Sequence, residues 1–334
     1  MNMEAWFNLP KEERQTVINQ VSAQTGLLPA AVEKDWWVMI ALRAIFNTEY
    51  AKHFVFKGGT SLSKAWGIIE RFSEDIDLAI DRAYFKLDGD LNRRQVTKLR
   101  KACCKFVIEE FIGKLSATLT EMGITGFTLN HMEFERSDTD PLAIELHYDS
   151  ITEKVDYLQP RILIEVSSRS LIHPFENKPM VSLIGEAYPD LPFVDASVKI
   201  PTVVPTRTLL EKIFLLHEEF QKPTDRQIRS ERMTRHLYDI SRLMDTDFLE
   251  AALADRELYD TIVAHREMLT NVSWVDYAKH HPKHINFIPP PAEMDKWRKD
   301  YAAMQESMFY GETESFEELL DKLGTLQHRI NAMD

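Results

Sequence analysis

The sequence predicts a mixed α/β protein whose C-terminal part is mostly helical, and three observations carry that prediction. The apolar run at 53–56 is followed by Gly58-Gly59, a helix-compatible stretch and a second apolar run at Ile76–Ile80, which gives strand, helix, strand. A long basic helical pattern then leads into three more strand-like runs, at 125–135, Leu142–Tyr148 and Arg161–Ser167. Beyond about residue 206, apolar positions recur at helical spacing instead. Strands and helices mixed in this order favour a compact α/β core joined to a helical part.

The N-terminal section, at about 10–48, reads as helical, and its strongest part runs from Val32 to Phe46. The apolar spacing there predicts a buried stripe, with Trp36 and Trp37 packing in the core rather than stacking on a base. After the strand at 53–56, a helix is expected at 61–70, followed by the strand at Ile76–Ile80 and a basic helix at about 92–122. Pro174, Pro179, Pro189, Pro192, Pro201 and Pro205 punctuate the next stretch, which is expected to carry turns and the crossing to the C-terminal part. Helical faces follow around 209–216 and 236–243, and terminal helices are expected at 292–305 and 315–333. The expected division is a helical section at 1–50 packed on the core, a catalytic core at 51–205 and a helical lobe at 206–334, with a cleft between core and lobe.

Composition narrows the function classes. With 334 residues, 44% hydrophobic and 28% charged, the chain can bury a substantial core and is not expected to be disordered. No apolar run approaches the roughly 20 residues that span a bilayer. The start at Met1 has no basic region leading into an apolar signal segment, so mature cytoplasmic protein is expected. Cys103 and Cys104 are adjacent in a helical pattern and offer neither a disulfide framework nor a metal cluster. A formal charge of −13 disfavours indiscriminate binding to nucleic acid. Two local basic stretches, at 82–105 and 222–242, stand against that total.

The chemistry concentrates in two short segments. In Val55-Phe56-Lys57-Gly58-Gly59-Thr60-Ser61-Leu62-Ser63-Lys64, the glycines allow a tight turn and a close approach to phosphate, Ser61 offers a hydroxyl and Lys64 a positive charge. The glycine spacing matches neither the Walker phosphate loop nor the dinucleotide fingerprint, and a purely structural turn is the plain alternative. Asp75 and Asp77 are two apart on a strand, so their carboxylates share a face and repel each other unless a cation intervenes. Hard oxygen ligands suit Mg²⁺, with Mn²⁺ as the alternative. Glu165, in the apolar strand Arg161-Ile162-Leu163-Ile164-Glu165-Val166, is the best third acid, either as a metal ligand or as the group that deprotonates an acceptor. Glu145 competes for that place, and Glu165 can instead pair with an arginine at the edge of the core. Lys212 sits on an apolar helix where its stem can pack while its ammonium reaches a cleft, although an ordinary surface lysine fits the same pattern. Arg235 and Asp239, four apart, either pair on one helical face or serve a phosphate.

Lys57-Gly58-Gly59-Thr60-Ser61-Leu62-Ser63-Lys64 together with Arg71-Phe72-Ser73-Glu74-Asp75-Ile76-Asp77-Leu78 resembles the AbiEii/AbiGii-type nucleotidyltransferase toxin family, within the wider DNA polymerase beta-like nucleotidyltransferase fold. The resemblance is strongest at 54–80 and returns in Thr208-Leu209-Leu210-Glu211-Lys212 and Arg235-His236-Leu237-Tyr238-Asp239-Ile240, so it covers about 30–245. It implies nucleotide-phosphate contact at Gly58, Gly59, Ser61 and Lys212, metal coordination at Asp75 and Asp77, and a cleft completed by the motif around Asp239. His236 stands where some relatives are expected to carry an acid.

The resemblance also implies Mg²⁺-dependent transfer of a nucleoside monophosphate from an NTP to an acceptor such as tRNA, by a type IV toxin of a toxin-antitoxin or abortive-infection phage-defence system with a cognate antitoxin. A phosphotransferase that moves the terminal phosphate, or a catalytically silent module that binds RNA or protein, remains open on the residues alone.

Overall fold

In the computed structural model, residues 4–155, 158–191 and 197–333 are described. The first three residues and Pro192 of the punctuated stretch lie outside them. The chain divides into two compact units, one formed by Met1–Ala65 with Phe72–Val203, the other by Trp66–Arg71 with Val204–Asp334.

The first unit opens with three helices, α1 (Glu4–Asn8), α2 (Lys11–Thr25) and α3 (Pro29–Asn47). It continues through β1 (Phe54–Lys57), α4 (Gly58–Lys64), β2 (Ile76–Ile80), α5 (Arg93–Phe106), a π-helical turn at Val107–Phe111 and α6 (Ile112–Glu121). Then come β3 (Phe127–His131), β4 (Leu142–Tyr148), β5 (Arg161–Ser167), β6 (Phe175–Met180), α7 (Leu183–Ala187) and β7 (Val198–Val203). The seven strands form one mixed sheet in the order β3-β4-β5-β2-β1-β7-β6, which bears out the mixed α/β class.

Alternation decides which sheet face is covered. Leu142, Ile144, Leu146 and Tyr148 of β4 and Ile162, Ile164 and Val166 of β5 are buried, while the intervening residues are only half-buried. The buried rows share a core with α3, which is enclosed on all sides from Ala30 to Ile45 rather than along a single stripe. Each large apolar side chain withdrawn from water there contributes about 1.5–3 kcal/mol. Trp36 and Trp37 lie in this core, edge to face at 5.3 Å, and Trp37 stacks on Tyr148 at 4.9 Å. They are packing residues, as expected.

Two expectations need correction. The helix after Gly58-Gly59 stops at Lys64 rather than running to 70, because Trp66–Arg71 pack in the second unit. The proline-punctuated stretch holds two strands as well as turns. Pro179 lies in β6 at the sheet edge and Pro201 in β7, which meets β1 in a single register at Phe56 and Thr202, so the missing donors interrupt little of the ladder.

The second unit contains α8 (Pro205–Phe220), α9 (Thr234–Met244), α10 (Phe248–Ala254), α11 (Arg256–Leu269), α12 (Met294–Ser307) and α13 (Phe316–Asn331). Helix α9 packs against α8, α12 and α13, and Leu237, Ile240 and Leu243 form its fully buried stripe. The Trp66–Arg71 segment is tied in by backbone and side chain. The Tyr238 hydroxyl accepts from the Glu70 N–H at 3.1 Å, and the Tyr310 N–H donates to the Glu70 carbonyl at 3.1 Å. Among the described residues no helix is long and apolar enough to cross a membrane.

Candidate active site

The first unit brings the predicted carboxylates together. Strands β2 and β5 run parallel with Asp77 beside Glu165, and β1 pairs antiparallel with β2 so that Lys57 stands opposite Asp77. Registered neighbours on adjacent strands project to one side, so Lys57, Asp77 and Glu165 share a sheet face. Burial pushes the Glu165 carboxyl up to about 7, and the nearby charges of Asp77 and Asp75 push the same way, while Lys57 opposes them. Glu165 also hydrogen-bonds Asp77. Lys57 had no role assigned from sequence, although its place at the strand end before Gly58 was the available signal.

Gly58 explains why this face has room for a carboxylate. It sits at φ +81°, and a Cβ added there would fall 1.9 Å from Oδ2 of Asp77. Only glycine permits both the left-handed backbone and the close approach. Gly59 continues into α4. The Ser61 hydroxyl is fully buried and donates to the Gly58 carbonyl at 2.8 Å, and Thr60 donates to the Asp75 carbonyl at 2.6 Å, fastening the turn to the segment that bears the acids.

Three hard-oxygen donors this close, two of which raise the proton affinity of Glu165, suit a divalent cation, which would offset their repulsion. Among the described residues, however, no group of three or more His, Cys, Asp or Glu side chains is arranged so that it could hold a metal ion as it stands. Glu145, the competing acid, lies on the same face one row away. Its carboxylate is held by Arg161 and by His147 at 3.1 Å, so it is already paired.

Lys64 is not free to serve a phosphate as expected. Its ammonium pairs with Asp35 at 2.7 Å, with both side chains nearly buried. Asp35 also accepts from the Leu183 N–H at 2.7 Å. Its neighbour Lys34 pairs with Glu74, beside Asp75, at 2.5 Å, and Glu33 accepts from Ser150, Thr152 and the Ile151 N–H. Glu33, Lys34 and Asp35 thus brace the site from within α3. The signal for them was a charged triplet at the start of an otherwise apolar helix.

The second unit builds a separate cluster. Asp239 is fully buried, and Arg71 grips it with both donors, Nε to Oδ1 at 2.7 Å and Nη2 to Oδ2 at 2.8 Å. Lys212 reaches the same Oδ2 at 2.8 Å. Burial alone would raise the Asp239 carboxyl, but Arg71 and Lys212 hold it well below the usual range. Burial lowers Lys212, with Asp239 opposing and Arg71 and Arg235 reinforcing the shift. Burial, Lys212 and Arg235 likewise keep His236 neutral, and its Nδ1 lies 3.4 Å from the Lys212 ammonium. A local pair of Asp239 with Arg235 was one of the two alternatives; the structure gives Asp239 a partner 168 residues away in sequence, Arg71.

The two basic stretches fare differently. On α5, which contains no acidic residue, Arg94, Lys98, Lys101 and Lys105 follow at spacings of four, three and four along one exposed side. Lys105 has Glu109 at 3.6 Å, and among the described residues no ion pair holds the other three. At 222–242 the cations are largely engaged: Lys222 and Arg229 by Glu219, Arg242 by Glu70, and Arg226 over the Trp274 ring at 4.6 Å.

Comparisons with known proteins bear on this arrangement. Among solved structures, the nucleotidyltransferase toxin MenT4 from Mycobacterium tuberculosis H37Rv aligns at 15% identity and a TM-score of 0.43, over 95% of this chain and 98% of that one. JHP933 from Helicobacter pylori aligns at 14% identity and 0.41, over 90% and 91%. A search of curated proteins finds no match. Residues 40–322 match the family model described as nucleotidyl transferase AbiEii toxin, type IV TA system, well beyond the motifs that end near 245. With the Gly58 turn, the paired aspartates and the lysine helix all inside that match, the chain belongs to the AbiEii family of nucleotidyltransferase toxins of type IV toxin-antitoxin systems.

Proposed function

We propose that the protein transfers a nucleoside monophosphate from an NTP to a hydroxyl of RNA, with the acceptor end of tRNA as the target, in a Mg²⁺-dependent reaction. The acceptor oxygen bonds to the α-phosphorus, the bond from that phosphorus to the leaving oxygen breaks, and pyrophosphate departs. The observation that carries this reading is the placement of Asp77 beside Glu165 and against Gly58, with Asp75 close enough to shift Glu165.

Asp75, Asp77 and Glu165 would hold the metal, which supplies positive charge to phosphate oxygens when bound. The site does not need all three acids as permanent ligands. A carboxyl that titrates near 7 is also matched to taking the acceptor proton. Gly58 and Gly59 let the backbone of the first unit approach a phosphate, and in the second unit Lys212 and Arg235 offer charge to phosphate oxygens. The cationic stripe of α5 is suited to an RNA backbone. Phage defence in the cytoplasm, restrained by an antitoxin, is the setting that this activity and family favour.

The test is incubation of the protein and Mg²⁺ with total RNA and NTPs labelled separately at the α and γ positions. Label from the α position is expected at an RNA terminus, and a folded Asp75→Asn, Asp77→Asn double variant is expected to lose it. Transfer of γ-label alone would replace the reading with a phosphotransferase. Undiminished transfer by the folded variant would remove the metal-ligand assignment.

A further inference from the structure

We infer that Arg71 is a positioning residue for polyphosphate binding: by occupying Asp239 it leaves the charge of Lys212 available to an anionic phosphate. This inference rests on the reading of Lys212 as the phosphate contact and adds a residue to which no role was assigned.

The geometry shows how the charge is divided. Alone with Asp239, Lys212 would form a closed one-to-one pair, and the carboxylate would compete with any incoming phosphate. In the structure both Arg71 and Lys212 pair with Asp239. Arg71 takes both of its oxygens in a planar fork, and Lys212 shares only Oδ2. The arginine fork fits a carboxylate with two parallel hydrogen bonds, whereas an ammonium makes a single-point contact. Arg71 is therefore the stronger claimant on the anion, and Lys212 is held in place without being neutralised.

Burial magnifies the consequence. Arg71 is 3%, Lys212 7% and Asp239 0% exposed, so water screens their charges little. His236, adjacent to Lys212, is kept neutral by burial and by the surrounding cations, and its Nδ1 faces the ammonium as an acceptor rather than as a second anion. Thr208, one turn before Lys212 on α8, contributes a hydroxyl that is buried and has no hydrogen-bond partner among the described residues. A buried hydroxyl with no partner, one helical turn from an incompletely neutralised lysine, is suited to an oxyanion.

The probe is inorganic tripolyphosphate, titrated calorimetrically into the full chain in the presence of EDTA, so that binding is read without metal. Arg71→Met is expected to weaken binding about tenfold or more, because Asp239 then neutralises Lys212 alone. Adding Asp239→Asn to Arg71→Met removes the competing carboxylate and is expected to restore affinity to within about threefold of wild type. A purely structural role for Arg71 predicts the opposite, since a second buried substitution would not repair the first. In turnover, Arg71→Met should raise KM for the NTP more than it lowers kcat.

Wild-type tripolyphosphate affinity in folded Arg71→Met, or a double variant that binds no better than the single one, would overturn the inference. Should Arg71→Met not unfold cooperatively, Asp239→Asn alone decides: it must bind tripolyphosphate at least as tightly as wild type, and weaker binding counts against the inference. Absence of α-label transfer by the wild-type protein would sink the transferase reading while leaving this metal-free comparison to stand or fall by itself.

Discussion

Gly58 and Asp77 constrain each other tightly. The glycine's positive φ and the 1.9 Å that would separate an added Cβ from Asp77 Oδ2 mean that Gly58→Ala must move either the turn or the carboxylate. The left-handed backbone alone costs a residue with a Cβ about 1–2 kcal/mol. A displacement of about 1 Å at a reacting centre costs on the order of a hundredfold in rate. Gly58→Ala is therefore expected to lose at least that much α-label transfer with only a modest fall in melting temperature. Rates near wild type would show that Asp77 need not stand where it does. Glu165 gives a prediction in pH. With its carboxyl raised to about 7, the metal-free folded protein keeps a proton that the unfolded chain releases near 4.5. Stability contributed by this group is present below 4.5 and is lost as pH rises towards and through 7. Urea unfolding of metal-free Glu165→Gln should therefore show a shallower decline between those values than wild type, and parallel profiles would contradict the shift.

At the scale of elements, α5 shows what a helix can carry beyond its own stability. Asn92 caps it by accepting from the Arg94 and Gln95 N–H groups at 3.1 Å, and the Gln95 side chain accepts in return from the Asn92 N–H at 2.9 Å. Val96, Leu99, Cys103 and Cys104 bury its other side, so the cationic stripe is left facing water. Replacing Arg94, Lys98 and Lys101 together by Glu should weaken RNA binding at all sequences. It should also reduce the salt dependence of log K by about 2, since each single-strand phosphate that a cation neutralises adds about 0.7 to the slope. An unchanged salt slope in filter binding would remove α5 from the RNA surface. Elements differed in how legible they were. The bounds of β4 and β5 coincide with the alternating runs seen in sequence, because strict alternation has few other structural solutions. Strands β6 and β7 were hidden by prolines, which signal a turn locally but are tolerated near a sheet edge.

At the scale of the whole molecule, the chain crosses from the first unit to the second and back within Trp66–Arg71, between the glycine turn and the aspartates. A linear division at about 206 could not include that crossing, since its membership depends on Tyr238, Tyr310 and Asp239, all far along the chain. The sequence by itself determined the local chemistry: a glycine turn, two acids at the start of one strand with only Asp77 inside it, a third acid in an apolar strand and a lysine on an apolar helix. Those features follow from neighbours within a few residues, and together they were sufficient for the family. Only the tertiary structure decided which charges meet. Glu165 stands beside Asp77 while Glu145 is held by Arg161 and His147, Lys64 belongs to Asp35, and Arg71 reaches Asp239. The reason is physical. A buried charge must find a partner, and which partner it finds depends on strand register and helix packing between distant segments, about which its own neighbours in sequence carry no information.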